Sequence, residues 1–268
     1  MEVDIGRQYV DAVVADHLAA VDAAVPGLVE GLYLVGSVAL DDYRPGTSDI
    51  DFLAVTADPL TNVQTTALAG VHARLTGRHP RPVLDGAYVT WRELAGDPAL
   101  AGPGAVVREG RLRTSANRAD PVAWHTLAAH GVTVRGPDRP GVPVLTDRAA
   151  LATWTRDNLD GYWRPWLRRS LRLLSRPGVA TVLAWGPAWG VLGVSRLHYT
   201  LATGAITSKY GAGCYARDTF DPQWRRIVDE CLRIRGGQGR SRYRNPLARR
   251  RDALDFVAMA IEEAQRIP

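Results

Sequence analysis

Two aspartates one residue apart, Asp49 and Asp51, stand at the entrance to an apolar run in Ser48-Asp49-Ile50-Asp51-Phe52-Leu53-Ala54-Val55. Side chains alternate along a strand, so both carboxylates face the same way, roughly 6.6 Å apart at about 3.3 Å per residue. Two carboxylates so placed suit a hard divalent cation such as Mg²⁺, which takes oxygen ligands and commonly shares them with substrate phosphates. Upstream, the apolar run Leu32–Val35 ends in Gly36-Ser37. Gly36 lets the backbone approach a ligand closely. Ser37 offers a hydroxyl and reads as a helix N-cap, where free N–H groups suit a phosphate. Asp-x-Asp alone is a weak signal, because aspartates are common in turns. Strand, Gly-Ser, a turn-rich stretch and then Ser-Asp-Ile-Asp entering a second strand is a specific combination. These residues point to a site for a nucleoside triphosphate and its metals.

The elements that must hold them follow from the pattern of the chain. An amphipathic helix is expected over Ile5–Val25 and strands over Gly31–Val35 and Ile50–Val55. Asp58-Pro59 reads as the start of a helix to Thr76, since proline suits a first turn. Val83–Thr90 reads as a third strand, with Trp91–Leu94 as its solvent-facing exit. Leu94–Asn117, rich in Gly, Pro and Arg, reads as loop with room for a short strand pair. A helix over Val122–His130 and a strand over Val132–Arg135 follow. Gly136–Pro143 is the clearest linker, and it sets expected domains at 1–143 and 144–268. Beyond it, helical periodicity covers Asp147–Leu174, Val179–Thr203, Ser208–Ala216, Pro222–Ile234 and Pro246–Ile267. The expected fold class is α+β: a mixed sheet with flanking helices, then an all-α bundle.

Composition narrows the setting. Hydrophobic residues at 46% and charged residues at 23% match an ordinary globular chain. Nothing resembles a signal peptide, and the longest apolar candidate, Thr181–Val194, is broken by Gly186-Pro187 and Gly190, so no membrane partner is expected. Cys214 and Cys231 lack metal-ligand spacing, which favours a reduced, cytoplasmic protein. The net charge of +5 is carried by arginine, with Lys209 the only lysine. Arginine clusters at 164–172 and 240–251 fall in helical segments and read as solvated surface in preference to a polynucleotide site.

At this point the residues resemble a known family. Gly36-Ser37 with Asp49-Ile50-Asp51 is similar to the signature of the DNA-polymerase-β-like nucleotidyltransferase superfamily. Val194-Ser195-Arg196-Leu197-His198-Tyr199-Thr200 through Ser208-Lys209 resembles the helical domain of the aminoglycoside 3″/9 adenylyltransferases. The likeness spans most of the chain at low identity. It implies transfer of a nucleoside monophosphate from ATP to a hydroxyl of a small acceptor, with release of pyrophosphate, by a monomer using Mg²⁺, with two ions expected. Asp49 and Asp51 would be metal ligands, with Gly36, Ser37 and Ser48 around the triphosphate. A third carboxylate is implied on a neighbouring strand, and Asp85 sits there where the family carries glutamate. Its role as metal ligand or as base is left open by the shorter side chain, with Glu93 in reserve. Lys209 falls where the family places a triphosphate-binding lysine, and Arg196 would approach the same phosphates.

The acceptor side departs from the resemblance. The helix before Ser195-Arg196 should carry a tryptophan and acidic residues, yet Leu183–Gly190 has Trp185 and Trp189 and no carboxylate. A polycationic acceptor wants acidic partners. Asp157 and Asp160 are available upstream, although isolated helix-surface charge is the plainer reading for both. Trp154, Trp163, Trp166, Trp185 and Trp189 at helical spacing read first as core. No residue reads the nucleotide base by a recognisable motif. Two further readings stay open at this stage: a nucleotidyltransferase acting on RNA or a protein partner, and a degenerate nucleotide-binding regulatory protein.

Overall fold

The structure is a computed structural model that describes residues 2–115 and 120–268. It divides into two compact units, Met1–Asp147 and Arg148–Pro268. Residues 144–147 stay with the first unit, where the Leu145 N–H donates to the Leu94 carbonyl at 2.9 Å and His125 reaches the Asp147 carbonyl at 3.2 Å.

The first unit runs α1 (Glu2–Ala24), β1 (Gly31–Leu34), α2 (Gly36–Ala39), β2 (Ile50–Thr56), α3 (Asn62–Arg78), β3 (Leu84–Thr90), α4 (Trp91–Leu94), β4 (Gly104–Arg108), β5 (Arg111–Ser115), α5 (Pro121–His130) and β6 (Val132–Arg135). Six strands form one mixed sheet in the order β5-β4-β3-β2-β1-β6. Among the described residues only β2 and β3 pair in parallel, because α3 carries the chain back across the sheet between them. Strand alternation divides β2 between two cores. Ile50, Phe52 and Ala54 pack with Val13 and Val14 of α1 and with Leu68 and Val71 of α3. Leu53 and Val55 pack on the opposite face with Trp124 and Leu127 of α5. By the same alternation Asp49 and Asp51 belong to the second face, at the strand's N-terminal end.

Local hydrogen bonds correct two sequence expectations here, and a third region takes the strand pair it had room for. The helix expected from Pro59 begins at Asn62, because Thr61 and Gln64 form a reciprocal capping box with bonds of 3.3 and 2.8 Å. Trp91–Leu94 is a helical turn and not a strand exit. Thr90 and Glu93 close a second capping box, at 3.2 and 2.8 Å. Within Leu94–Asn117, β4 and β5 form a hairpin, while Ala116 and Asn117 lie outside the described residues.

The second unit is helical: α6 (Arg148–Asn158), a π-helical turn over Leu159–Trp163, α7 (Arg164–Leu171), α8 (Arg176–Val182), α9 (Trp185–Thr203), α10 (Lys209–Thr219), α11 (Arg225–Gly236) and α12 (Pro246–Arg266). The helix expected over Asp147–Leu174 is continuous from Arg148 to Leu171, with a π-helical turn at its middle. Pro165 stands in the first turn of α7 and has no N–H to give to the ladder before it. The helix expected over Val179–Thr203 is two helices at 99°. Gly186-Pro187 falls in the first turn of α9, where proline costs no hydrogen bond, so it marks a start and not an interruption. α9 is the axis of the unit. Its Val191, Leu192, Val194 and Leu197 are buried among Trp163, Trp166, Phe220, Phe256 and Ile261. No single helix among the described residues is long and apolar enough to cross a membrane.

Candidate active site

The first strand delivers its C-terminal end onto the second. The Val35 N–H donates to the Asp51 carbonyl at 2.9 Å, which fixes Gly36 against the Asp51 side chain. Gly36 has φ +57°, and a Cβ there would lie 2.0 Å from Asp51 Oδ2. Only glycine satisfies both conditions. The cap position of the short α2 turn is Val35, without a side-chain cap, and Ser37 lies inside the turn. The expected N-cap role of Ser37 is therefore replaced by another. Its Oγ donates to the Asp49 carbonyl at 3.5 Å, at the limit of a hydrogen bond, because Gly36 has already turned the chain. Ser48 is buried, and its Oγ accepts the Arg44 N–H at 3.0 Å, bracing the loop that leads into β2.

Parallel pairing sets Asp51 directly beside Asp85. Register partners present side chains to one face, so Asp49, Asp51 and Asp85 share it. Burial pushes the Asp85 carboxyl above its ordinary value. The backbone N–H groups of Gly110 and Glu109 and the charge of Arg108 oppose that shift, and the nearby Asp49 charge adds to it. The Gly110 N–H reaches Asp85 Oδ1 at 3.3 Å. Asp49 Oδ1 is buried without a hydrogen bond, and the nearest cation is Arg81, whose Nη1 lies 3.6 Å away. Glu93 is committed to its capping box, which leaves Asp85 as the third carboxylate of this face.

The donor set is the kind a hard divalent cation takes: aspartate oxygens, one of them buried and lacking a proton donor. Among the described residues no three His, Cys, Asp or Glu side chains already converge on one ion position. Mg²⁺ is usually held by one or two carboxylates, with phosphate and water oxygens completing its shell. The residues present fit such an ion.

In the helical unit, Ser208 caps α10 by accepting the Gly211 N–H at 3.0 Å, which sets Lys209 at the first helical position. The Lys209 ammonium stands 4.8 Å from the centroid of the Trp189 ring. Arg196 is seven residues beyond Trp189 on α9, two turns on, and so shares its face. The structure thus sets Lys209 beside Trp189, with Arg196 two turns further along the same face of α9. The core reading of the tryptophans holds for Trp163 and Trp166, which are buried. It fails for Trp185 and Trp189, which are 57% and 40% exposed. Asp160 is engaged by Arg164 at 2.6 Å, and Asp157 is a solvent-exposed helix residue. Sequence reasoning missed Trp189 as a companion of Lys209, and it missed Arg81 and the Glu109-Gly110 turn. The first two lie outside any local motif. The turn carried a visible signal, a glycine after a charged residue between two strand-like stretches.

Family models match the chain in two places: a nucleotidyltransferase domain over residues 15–84, and the C-terminal domain of aminoglycoside adenylyltransferases over residues 173–260. The chain is an aminoglycoside adenylyltransferase-like nucleotidyltransferase. The first match spans Gly36, Ser37, Ser48, Asp49 and Asp51 of this nucleotidyltransferase and stops one residue short of Asp85. The second contains both Arg196 and Lys209. Among solved structures, the nucleotidyltransferase is similar to the spectinomycin adenyltransferase AAD(9) from Enterococcus faecialis, determined with ATP and spectinomycin. The TM-score is 0.67 at 12% identity, over 95% of this chain and 99% of that chain. At that identity the likeness speaks for the fold. A sequence search of curated proteins finds no match.

Proposed function

We propose that this enzyme transfers AMP from ATP to a hydroxyl of a small molecule, an aminoglycoside-type antibiotic of the streptomycin and spectinomycin class, in a Mg²⁺-dependent reaction. The observation that carries the reading is the register pairing of Asp51 with Asp85, beside Asp49 and against a glycine that leaves no room for a Cβ. The acceptor oxygen forms a bond to the α-phosphorus, the bond from that phosphorus to the α,β-bridging oxygen breaks, and pyrophosphate leaves. Bound metal supplies charge neutralisation at the attacking and leaving oxygens. Asp49 and Asp51 would hold it. Asp85 would take the proton of the acceptor hydroxyl or add a third ligand. Gly36 and Ser37 line the triphosphate, with Ser48 bracing their loop. Lys209 and Arg196 bind phosphate oxygens, and Trp189 holds the Lys209 stem in place.

That AAD(9) was determined with ATP and spectinomycin supports this choice of nucleotide and acceptor. Part of the arginine-rich surface is already engaged, which weakens a polynucleotide reading. Arg249 is buried beside Glu230, and Arg250 donates to the carbonyls of Ser170 and Leu171 at 2.6 and 3.0 Å. The test is Mg²⁺-dependent pyrophosphate release from ATP across streptomycin, spectinomycin and non-aminoglycoside polyols, with Asp49→Ala as the blank. Release with one aminoglycoside, absent in the variant, is the expected outcome. Binding of ATP without stimulation by any panel member would remove the antibiotic assignment.

A further inference from the structure

The hairpin between β4 and β5 turns through Glu109 and Gly110, both at positive φ, +52° and +68°. That pair of angles is the tight two-residue turn whose twist matches a hairpin, and it is uncommon for a glutamate. The turn is held from both sides. On one side the Gly110 N–H donates to Asp85 Oδ1 at 3.3 Å. On the other, the Thr76 hydroxyl of α3 stands 2.9 Å from the carbonyl of Gly110, which is buried. The same hydroxyl is also 2.9 Å from the His72 carbonyl one turn back, so a single proton serves two acceptors. No side chain fits at Gly110, where a Cβ would sit 2.2 Å from Thr76 Oγ1.

We propose that Thr76, acting through the Glu109-Gly110 turn, is a positioning residue for Asp85 in the transfer reaction; this rests on the role given to Asp85 above. An aspartate on β3 has one side-chain torsion fewer than a glutamate, so its reach is set by the backbone and by whatever fixes its carboxylate. The turn supplies that fixing group as a backbone N–H, and α3 supplies the anchor that keeps the turn from swinging away. Thr76 reaches Asp85 through the backbone of Gly110. Its effect falls on turnover and leaves ATP binding alone.

The experiment compares Thr76→Val, Thr76→Ser and Asp85→Asn for kcat and for KM towards ATP, with the Gly110 amide followed by NMR. Thr76→Val should lower kcat about fivefold, the weight of one hydrogen bond, and leave KM within about twofold. Thr76→Ser keeps the hydroxyl and should restore kcat. Asp85→Asn should abolish turnover and shift the Gly110 amide proton, a readout that does not depend on how Thr76→Val folds. Wild-type kcat in Thr76→Val alongside an inactive Asp85→Asn overturns the latch and leaves the proposed reaction standing. An unmoved Gly110 amide in Asp85→Asn overturns the contact itself. Full activity in Asp85→Asn overturns both the latch and the role of Asp85.

Discussion

The two units bury polar side chains in opposite ways. In the α/β unit, His17, His72 and Tyr88 are each about 2% exposed or less, and both imidazoles approach the Tyr88 hydroxyl, at 3.4 and 2.9 Å. Burial pushes His17 down to about 3 and His72 to about 4, so both are neutral. In the helical unit, Glu230 is wholly enclosed but remains charged. Burial alone would raise it, yet bonds from Arg233 at 2.9 Å, the Arg242 N–H at 2.8 Å and Ser241 at 2.7 Å bring it down to about 2. One core excludes charge and the other compensates it. The carboxylates of the candidate site belong to neither scheme. Asp49 Oδ1 has no hydrogen bond, and Asp85 is raised by burial together with its neighbour's charge. In the proposed reaction a cation arriving with the substrate would supply the compensation that Asp49 Oδ1 lacks.

The comparison can be tested from its sharpest contrast downward. Asp51→Asn removes charge from the site without burdening either core. Turnover should fall about a thousandfold, as several kcal/mol of transition-state stabilisation are lost, while the thermal midpoint holds or rises. Glu230→Gln should do the reverse. Stranding Arg233 and Arg249 should cost about 3–5 kcal/mol of stability, read by denaturant unfolding, with KM for ATP near wild type in the folded fraction. Replacing Lys209 with Met should raise KM for ATP about tenfold, the weight of one charge-assisted hydrogen bond, in initial-rate kinetics.

Acid separates the cores most finely. The two histidines have folded values below their ordinary 6.5, so the unfolded chain gains protons first. Their contribution to stability is complete above about pH 6.5 and declines as pH falls towards 3. Glu230 has an ordinary value of 4.5 and a folded value of about 2, so its contribution is complete above 4.5 and declines only below that. Hydrogen exchange followed from pH 7 to pH 4 should show residues 6–115 losing protection before residues 148–268. The opposite order would contradict the assignment of neutral imidazoles.

What the sequence made legible divides along the same line. Asp49, Asp51, Gly36 and Ser37 could be read from local pattern, because strand alternation and a turn glycine act over a few residues. The partnership of Asp85 with Asp51 could not, since it depends on the register of two strands joined through α3 and came only through family resemblance. Helix starts at Asn62 and Trp91 were written in the chain as Thr-x-x-Gln and Thr-x-x-Glu, but proline at 59 and the apolar run into 90 were the louder signals. In the helical unit, periodicity found the helices and missed the bend between α8 and α9. Whether a tryptophan such as Trp189 faces core or solvent depends on packing that no local spacing encodes.

The most direct test of the central claim is to follow label from ATP marked at the α- or the γ-phosphorus, with spectinomycin or streptomycin as acceptor, Mg²⁺ present, and Asp49→Ala in parallel. AMP transfer predicts α-label on the drug and γ-label in pyrophosphate, with both signals absent in the variant. Label from the γ-position on the drug, or α-label transferred equally by Asp49→Ala, would contradict the account.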